Sequence, residues 1–361
     1  MMRLAKLRQT LADNNLDAIV ISQLENWRYF SGFTGTSGKL FISPERAILA
    51  VPFIYLEQAR KQAPAFELIR FQREFAEVWP DLVAEVSSAQ QCRARRVAFE
   101  SAHLTVAEHG KLVAGAEDVE LVPTEGMVEG LRAIKDENEL DIIRKSVALA
   151  DAAFAHIIEW IEPGMTEREV AWELEVYMRT HGAEKVAFDL IVGAGPNGAM
   201  PHHEISERII GTGEPILIDL GARVAGYHSD LTRTICLGQS DERFTEIYDL
   251  VLQAQLAAEA AIRAGIVAGE VDNAARQVIA EAGYGEQYGH GLGHGVGLAV
   301  HEEPSIWQGA EEVLKPGMVF TVEPGIYLPD WGGVRLEDMV LVQEDGVEVL
   351  SRASKEPVII R

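Results

Sequence analysis

Residues 216–236 read ILIDLGARVAGYHSDLTRTIC. Two apolar runs flank a turn of small residues, which predicts a β-hairpin turning near Ala225–Gly226. Side chains alternate along a strand, and cross-strand partners share a face. With a turn of two or four residues there, Asp219 and Asp230 project from the same side. Two carboxylates set into apolar strands and aimed at one point are costly unless a positive charge lies between them. A metal ion, or two, is the economical answer.

The rest of the C-terminal half offers further ligands. His290, His294 and His301 lie in GHGLGHGVGLAVHEEP, residues 289–304. Glu323 closes the strand-like run MVFTVEPG, and Glu337 lies in GGVRLEDMVLV with Arg335 two residues away, hence on the same face of one strand. Asp219, Asp230, His294, Glu323 and Glu337 form a set of one imidazole and four carboxylates. That set suits Mn²⁺, Co²⁺ or Zn²⁺ better than a soft thiolate site would. Like charges about 4 Å apart repel by roughly 4 kcal/mol at an effective dielectric near 20. Two dications would balance the four acids. Taken singly, each acid is as readily a turn, strand-end or surface residue; the ordered set is what points to a metal. The glycine-rich stretch lacks the Lys-Ser/Thr ending of a phosphate-binding loop.

The order Asp, Asp, His, Glu, Glu, carried by DLGARVAGYHSDLTRT, GHGVGLAVHEEP, TVEPG and RLED, resembles the pita-bread metallopeptidases, and within them the Xaa-Pro peptidases, prolidase and aminopeptidase P. The resemblance runs from about residue 126 to the end and more weakly through the N-terminal part. It implies an α/β (α+β) fold: a small creatinase-like N-terminal domain over 1–126 and a pita-bread catalytic domain over 127–361. It implies two divalent ions per subunit, Mn²⁺ favoured and Co²⁺ or Zn²⁺ possible. Asp219 would hold one ion, His294 and Glu323 the other, and Asp230 and Glu337 both. Glu323 would move the proton, and His202 and His301 would donate hydrogen bonds to the reacting carbonyl. His290 and Arg335 would shape the proline side of the substrate pocket, His202 would also bind substrate, and Arg335 would also fix Glu337. The activity implied is hydrolysis of the bond preceding proline, leaning toward the dipeptidase over the aminopeptidase. A homodimer is implied too. Methionine aminopeptidases, creatinase and ligand-poor binding members of the fold match less well, because this chain combines an N-terminal domain with a complete set of acids. His203 and His228 match no ligand position and are expected at the surface or behind the ligands. Trp27, Tyr29 and Phe30 are either core aromatics or a loop approaching a partner's active site.

Composition sets limits. The 361 residues, 47% hydrophobic, suffice for two domains with substantial cores. A net charge of −24 argues against nucleic acid or an anionic membrane as partner. Cys92 and Cys236 imply no disulfide framework, and the N-terminus reads as an amphipathic helix rather than a signal peptide, so a cytoplasmic protein is expected.

Within the first domain, residues 3–14 read as helix, 16–22 as strand, GKLFISPERAILAVP as a hairpin around Pro44–Glu45, and RRVAFE and VELVP as short strands. The boundary is expected between 124 and 133. A long helix then starts near Lys135–Asn138 and runs to Pro163–Gly164. Beyond it a faint repeat appears: IEPGMTEREVAWELEVYMRTHG (161–182) parallels IRAGIVAGEVDNAARQVIAEAG (262–283). Gly164 matches Gly265, Glu169 matches Glu270, Val170 matches Val271 and Gly182 matches Gly283 at one constant offset. Thr166 with Glu169 forms a capping-box pattern. The pita-bread fold has such an internal symmetry, and the resemblance therefore implies a metal site between two similar halves.

Overall fold

The computed structural model describes residues 2–84 and 95–360, with only the backbone of 358–360; Cys92 lies outside the described residues. The chain divides into two compact units, Met1–Arg132 and Ala133–Arg361. That division falls a few residues later than 126/127. The reason lies in the last segment of the first unit: Arg132 donates to Asn26 Oδ1 at 2.7 Å, and the Tyr29 hydroxyl donates to the Leu131 carbonyl at 3.2 Å. These bonds tie residues 131–132 to the first unit.

The first unit is built on a six-stranded mixed sheet. Its central strand Ala18–Ile21 pairs antiparallel with Lys39–Ile42 and parallel with Arg95–Glu100. All four residues of Ala18–Ile21 are buried, as the unbroken apolar run requires of a strand covered on both faces. The hairpin pairs Ile42 with Ala47, so its turn centres on Pro44–Glu45. Trp27 and Tyr29 are buried within this unit and serve its core.

The second unit shows the repeat in three dimensions. Helices Glu167–Thr180 and Ala268–Glu281 are each 14 residues long and occupy matching positions of the two sequence copies. Gly164 and Gly265 precede them with φ 98° and 84°, and Gly182 and Gly283 follow with φ 117° and 89°. Thr166 caps the first helix with a reciprocal Glu169 capping box. Each helix packs on a longer one, Glu137–Trp160 in the first half and Glu242–Ala261 in the second. Each pair backs onto a sheet: strands 191–194, 215–220, 231–237 and 358–360 in one half, and 293–295, 302–306, 319–322, 338–343 and 346–349 in the other.

Period-2 alternation then decides what each sheet turns away from its helices. Ile216, Ile218 and Leu220 pack with Phe154, Leu174 and Met178, so Asp219 points to the opposite face. In the other half Phe320 and Val322 pack with Val251 and Ile279, which turns Thr321 and Glu323 away from the helices. Both halves therefore direct acids from the faces their helices leave free. No helix among the described residues is long and apolar enough to cross a membrane.

Candidate metal centre

The hairpin closes through a two-residue turn in which Ala225 and Gly226 both have positive φ, 46° and 89°. This is the twist-compatible geometry of a tight hairpin. The register pairs Asp219 with Thr232, so Asp230, two residues before Thr232, lies on the same face as Asp219. Ligand atoms of Asp230, His294 and Glu337 all lie within 4.8 Å of one another. His294 Nε2 is 3.7 Å from Asp230 and 3.4 Å from Glu323. Asp219, Asp230, His294, Glu323 and Glu337 line one cavity of about 830 Å³ together with His202, His290, His301 and Arg335. All nine residues expected at the site are thus in one place.

Glu337 and Arg335 sit differently from expectation. The run GGVRLEDMVLV is two strands, Gly332–Arg335 and Asp338–Gln343, with Glu337 in the break between them. Arg335 Nη2 meets Asp219 at 2.5 Å rather than Glu337. The break turns Glu337 out of the alternation that would have set it beside Arg335. Thr232 links them instead: its hydroxyl donates to Glu337 at 2.6 Å and accepts from Arg335 Nε at 3.1 Å. His203 and His228 are both buried rather than superficial. His203 meets Glu167 at 2.8 Å, and His228 Nδ1 meets the Gly297 carbonyl at 3.0 Å, with burial lowering its pKa to about 4.

The donor set fits a dication. The His294 Nδ1–H faces the Gly295 carbonyl at 3.1 Å, which leaves Nε2 as a lone pair aimed at the acids. One oxygen of Asp219 is engaged by Arg335, while the other, Oδ1, is buried with no hydrogen-bond partner. A buried carboxylate oxygen left this way needs a cation or proton. Burial pushes the Asp230 carboxyl well above the usual range, and repulsion from Glu337, Asp219 and Glu323 adds to it. Glu337 rises well above its ordinary value for the same reasons, burial first and then Glu323 and Asp219. Burial lowers His294, which keeps its ring neutral and able to ligate. One guanidinium, Arg335, cannot offset four such acids.

Tyr327 is a site residue that the sequence reading missed. Its hydroxyl accepts from Arg335 Nη1 at 3.0 Å and donates to His290 Nε2 at 2.9 Å, while His290 Nδ1–H faces the Gly291 carbonyl at 2.8 Å. Nothing in IYLPD marks it, since its partners lie in other elements. His202 and His301 are the exposed histidines of the cavity, and the His301 ring centroid lies 4.3 Å from that of His294.

The pattern of metallopeptidase family M24 matches residues 141–344, and that of the creatinase/prolidase N-terminal domain matches residues 3–134. The chain belongs to metallopeptidase family M24. It is 38% identical to an Xaa-Pro dipeptidase of Pyrococcus furiosus, over 98% of this chain and 99% of that one. Its structure is similar to that of an Xaa-Pro dipeptidase from Bacillus anthracis, with a TM-score of 0.94 and 40% identity over 100% of this chain and 99% of that one. It is also similar to an X-Pro aminopeptidase from Thermotoga maritima, with a TM-score of 0.91 and 34% identity over 99% of both chains. The fold is the pita-bread fold, and the protein is a metal-dependent peptidase with a carboxylate–histidine group able to hold a divalent ion.

One glycine carries the geometry of this centre. A Cβ on Gly293 would stand 1.9 Å from the Thr321 carbonyl oxygen, so alanine there forces strand 293–295 away from its neighbour. Gly293→Ala is expected to cost about 1–3 kcal/mol as overpacking and to weaken metal binding by moving His294. Thermal unfolding with and without added metal checks this; unchanged affinity would mean that the strand absorbs the methyl elsewhere.

Proposed function

We propose that this protein is a dinuclear-metal Xaa-Pro peptidase that hydrolyses the bond preceding proline, with dipeptides as its main substrates. The observation that carries the reading is the convergence of Asp219, Asp230, His294, Glu323 and Glu337 on one cavity that also holds His202, His290, His301 and Arg335. The similarity to Xaa-Pro dipeptidases supports it.

Those five ligand residues would hold two divalent ions, with Mn²⁺ favoured and Co²⁺ or Zn²⁺ compatible with the same donors. Bound dications lower the pKa of water and polarise a carbonyl. Glu323, whose carboxyl burial raises above the usual carboxylate value, takes the proton of the attacking water and passes it to the departing proline nitrogen. His301 and His202 donate hydrogen bonds to the developing oxyanion. Arg335 and His290, joined through the Tyr327 hydroxyl, form the proline side of the cavity. The bond before proline carries no N–H, so ring shape and the charged ends of the substrate must provide recognition.

A second reading, the aminopeptidase, is favoured by the volume of about 830 Å³, large enough for a drug-sized ligand and hence for residues beyond proline. An Xaa-Pro dipeptide, an Xaa-Pro-Yaa tripeptide and an Xaa-Ala dipeptide are compared on metal-reconstituted enzyme. We expect kcat/KM to be at least about tenfold higher for the first than for either other, a difference of about 1.4 kcal/mol. Comparable tripeptide turnover would make this an aminopeptidase, and comparable Xaa-Ala turnover would remove proline from the proposal. A homodimer and a cytoplasmic location complete the reading; buried Cys236 suits a reducing compartment.

A further inference from the structure

We propose that the two histidine-bearing loops beside the acids are each held by a buried carboxylate, Glu167 in one half and Asp272 acting with Arg276 in the other, and that these are positioning residues for His202 and His290. The proposal rests on reading those two histidines as substrate-facing groups.

Neither loop has a strand ladder to fix it. Residues 201–208 and 288–292 belong to no helix or strand. Their backbone groups and side chains need other partners. Glu167, the first residue of helix Glu167–Thr180, is fully buried and takes five hydrogen bonds from the first loop and its approach. Its Oε1 accepts from Ala194 N and Asn197 Nδ2, both at 2.9 Å. Its Oε2 accepts from His203 Nε2 at 2.8 Å, Ser206 N at 3.1 Å and Ser206 Oγ at 2.6 Å. Burial alone would raise this carboxyl, but bonds from Ser206, Ala194, His203 and Asn197 outweigh it and hold the pKa below the usual value. His202 is the next residue before His203, so its position follows from this anchor.

The other half solves the same problem one helical turn further along. Asp272 is fully buried on helix Ala268–Glu281 and accepts from Leu292 N at 3.0 Å. Arg276 grips it through Nε at 2.8 Å and Nη2 at 2.9 Å. The far side of the same guanidinium donates to the carbonyls of Tyr288, at 3.1 Å, and His290, at 2.8 Å. A planar fork that joins a carboxylate to two carbonyls cannot be copied by an ammonium group. His290 then reaches Tyr327, and the chain passes through Leu292 and Gly293 to His294.

Crossed double variants test the assignment, with kinetics, bound metal and thermal unfolding measured for each. Arg276→Met should raise KM by about 10- to 100-fold, keep its bound metal, add nothing on a His290→Ala background, and multiply with His202→Ala. Glu167→Gln should lower kcat by a similar factor, add nothing on His202→Ala, and multiply with His290→Ala. Arg276→Lys restores charge beside Asp272 and should recover the unfolding temperature lost in Arg276→Met, yet leave KM high. Losses that multiply on both backgrounds, or a Lys variant that restores KM, would overturn the proposal in favour of plain structural support. A neutral His290→Ala or His202→Ala would instead refute the reading of that histidine and its clamp with it. An impaired histidine variant beside a neutral clamp variant sinks the clamp alone. If Arg276→Met does not fold, the Lys variant carries the same comparison.

Discussion

Replacing Asp230 with Asn abolishes turnover and, at the same time, makes the metal-free protein harder to unfold. Asp230 is buried against Glu337, Asp219 and Glu323, and it carries the burial cost and their repulsion together. Each like-charged pair at about 4 Å is worth roughly 4 kcal/mol at an effective dielectric near 20, an upper figure because proton uptake relieves part of it. The amide keeps the shape and discards the charge. The metal-free variant should therefore gain about 1–2 kcal/mol, which is about 2–8 °C in the midpoint for a domain of this size. Bound divalent metal should fall, and kcat/KM should drop by more than the 10- to 100-fold typical of losing an outer partner of a metal ligand. A purely structural Asp230 gives the opposite sign in the melting experiment. Parent-like metal content with a tenth or more of parent activity would refute its place in the centre. Such opposition between stability and activity is what a site holding unbalanced charge in readiness implies.

The sequence was informative where the chemistry is local. The register that sets Asp219 and Asp230 on one face follows from strand alternation and a two-residue turn, both written into 216–236. The repeat was legible because helix stops and starts recur with it, and Gly164, Gly182, Gly265 and Gly283 all take the left-handed conformation that glycine permits. What could not be read depends on contacts distant in sequence. Arg335 finds Asp219 across 116 positions, and a break at Glu337 separates it from the neighbour that alternation suggested. Tyr327 gains its role only from His290 and Arg335, and Glu167 from a loop whose His203 lies 36 positions away. The division after Arg132 falls inside the expected 124–133, and its place within that range depends on a distant contact too, since the Arg132 guanidinium is bound by Asn26.

Glu323→Gln is expected to lower kcat by about 100- to 10,000-fold, the contribution of one positioned acid–base group, with KM changed only a few-fold. The carboxylate stands just past strand Val319–Val322, and the Thr321 hydroxyl holds it at 3.0 Å. Thr321 also accepts from His294 N at 3.1 Å, so one side chain orients both groups. Gln keeps the Thr321 contact and one oxygen toward the cluster, so the lost capacity is chiefly that of taking a proton. Burial favours this task by raising the Glu323 carboxyl, while Arg335 and His290 hold it back. A carboxylate whose pKa is raised takes up a proton more readily than an ordinary one, which suits the base role at the attacking water. The decisive comparison is kcat at matched metal occupancy, because Glu323 lies 3.4 Å from His294 Nε2 and its replacement also perturbs the ligand set. If kcat stays within about tenfold of the parent at equal occupancy, Glu323 is a ligand only. The proton must then leave through His301 or His202, the exposed imidazoles of the cavity. A His301→Ala variant would separate those two routes, since the ring beside His294 is the nearer to the ligands.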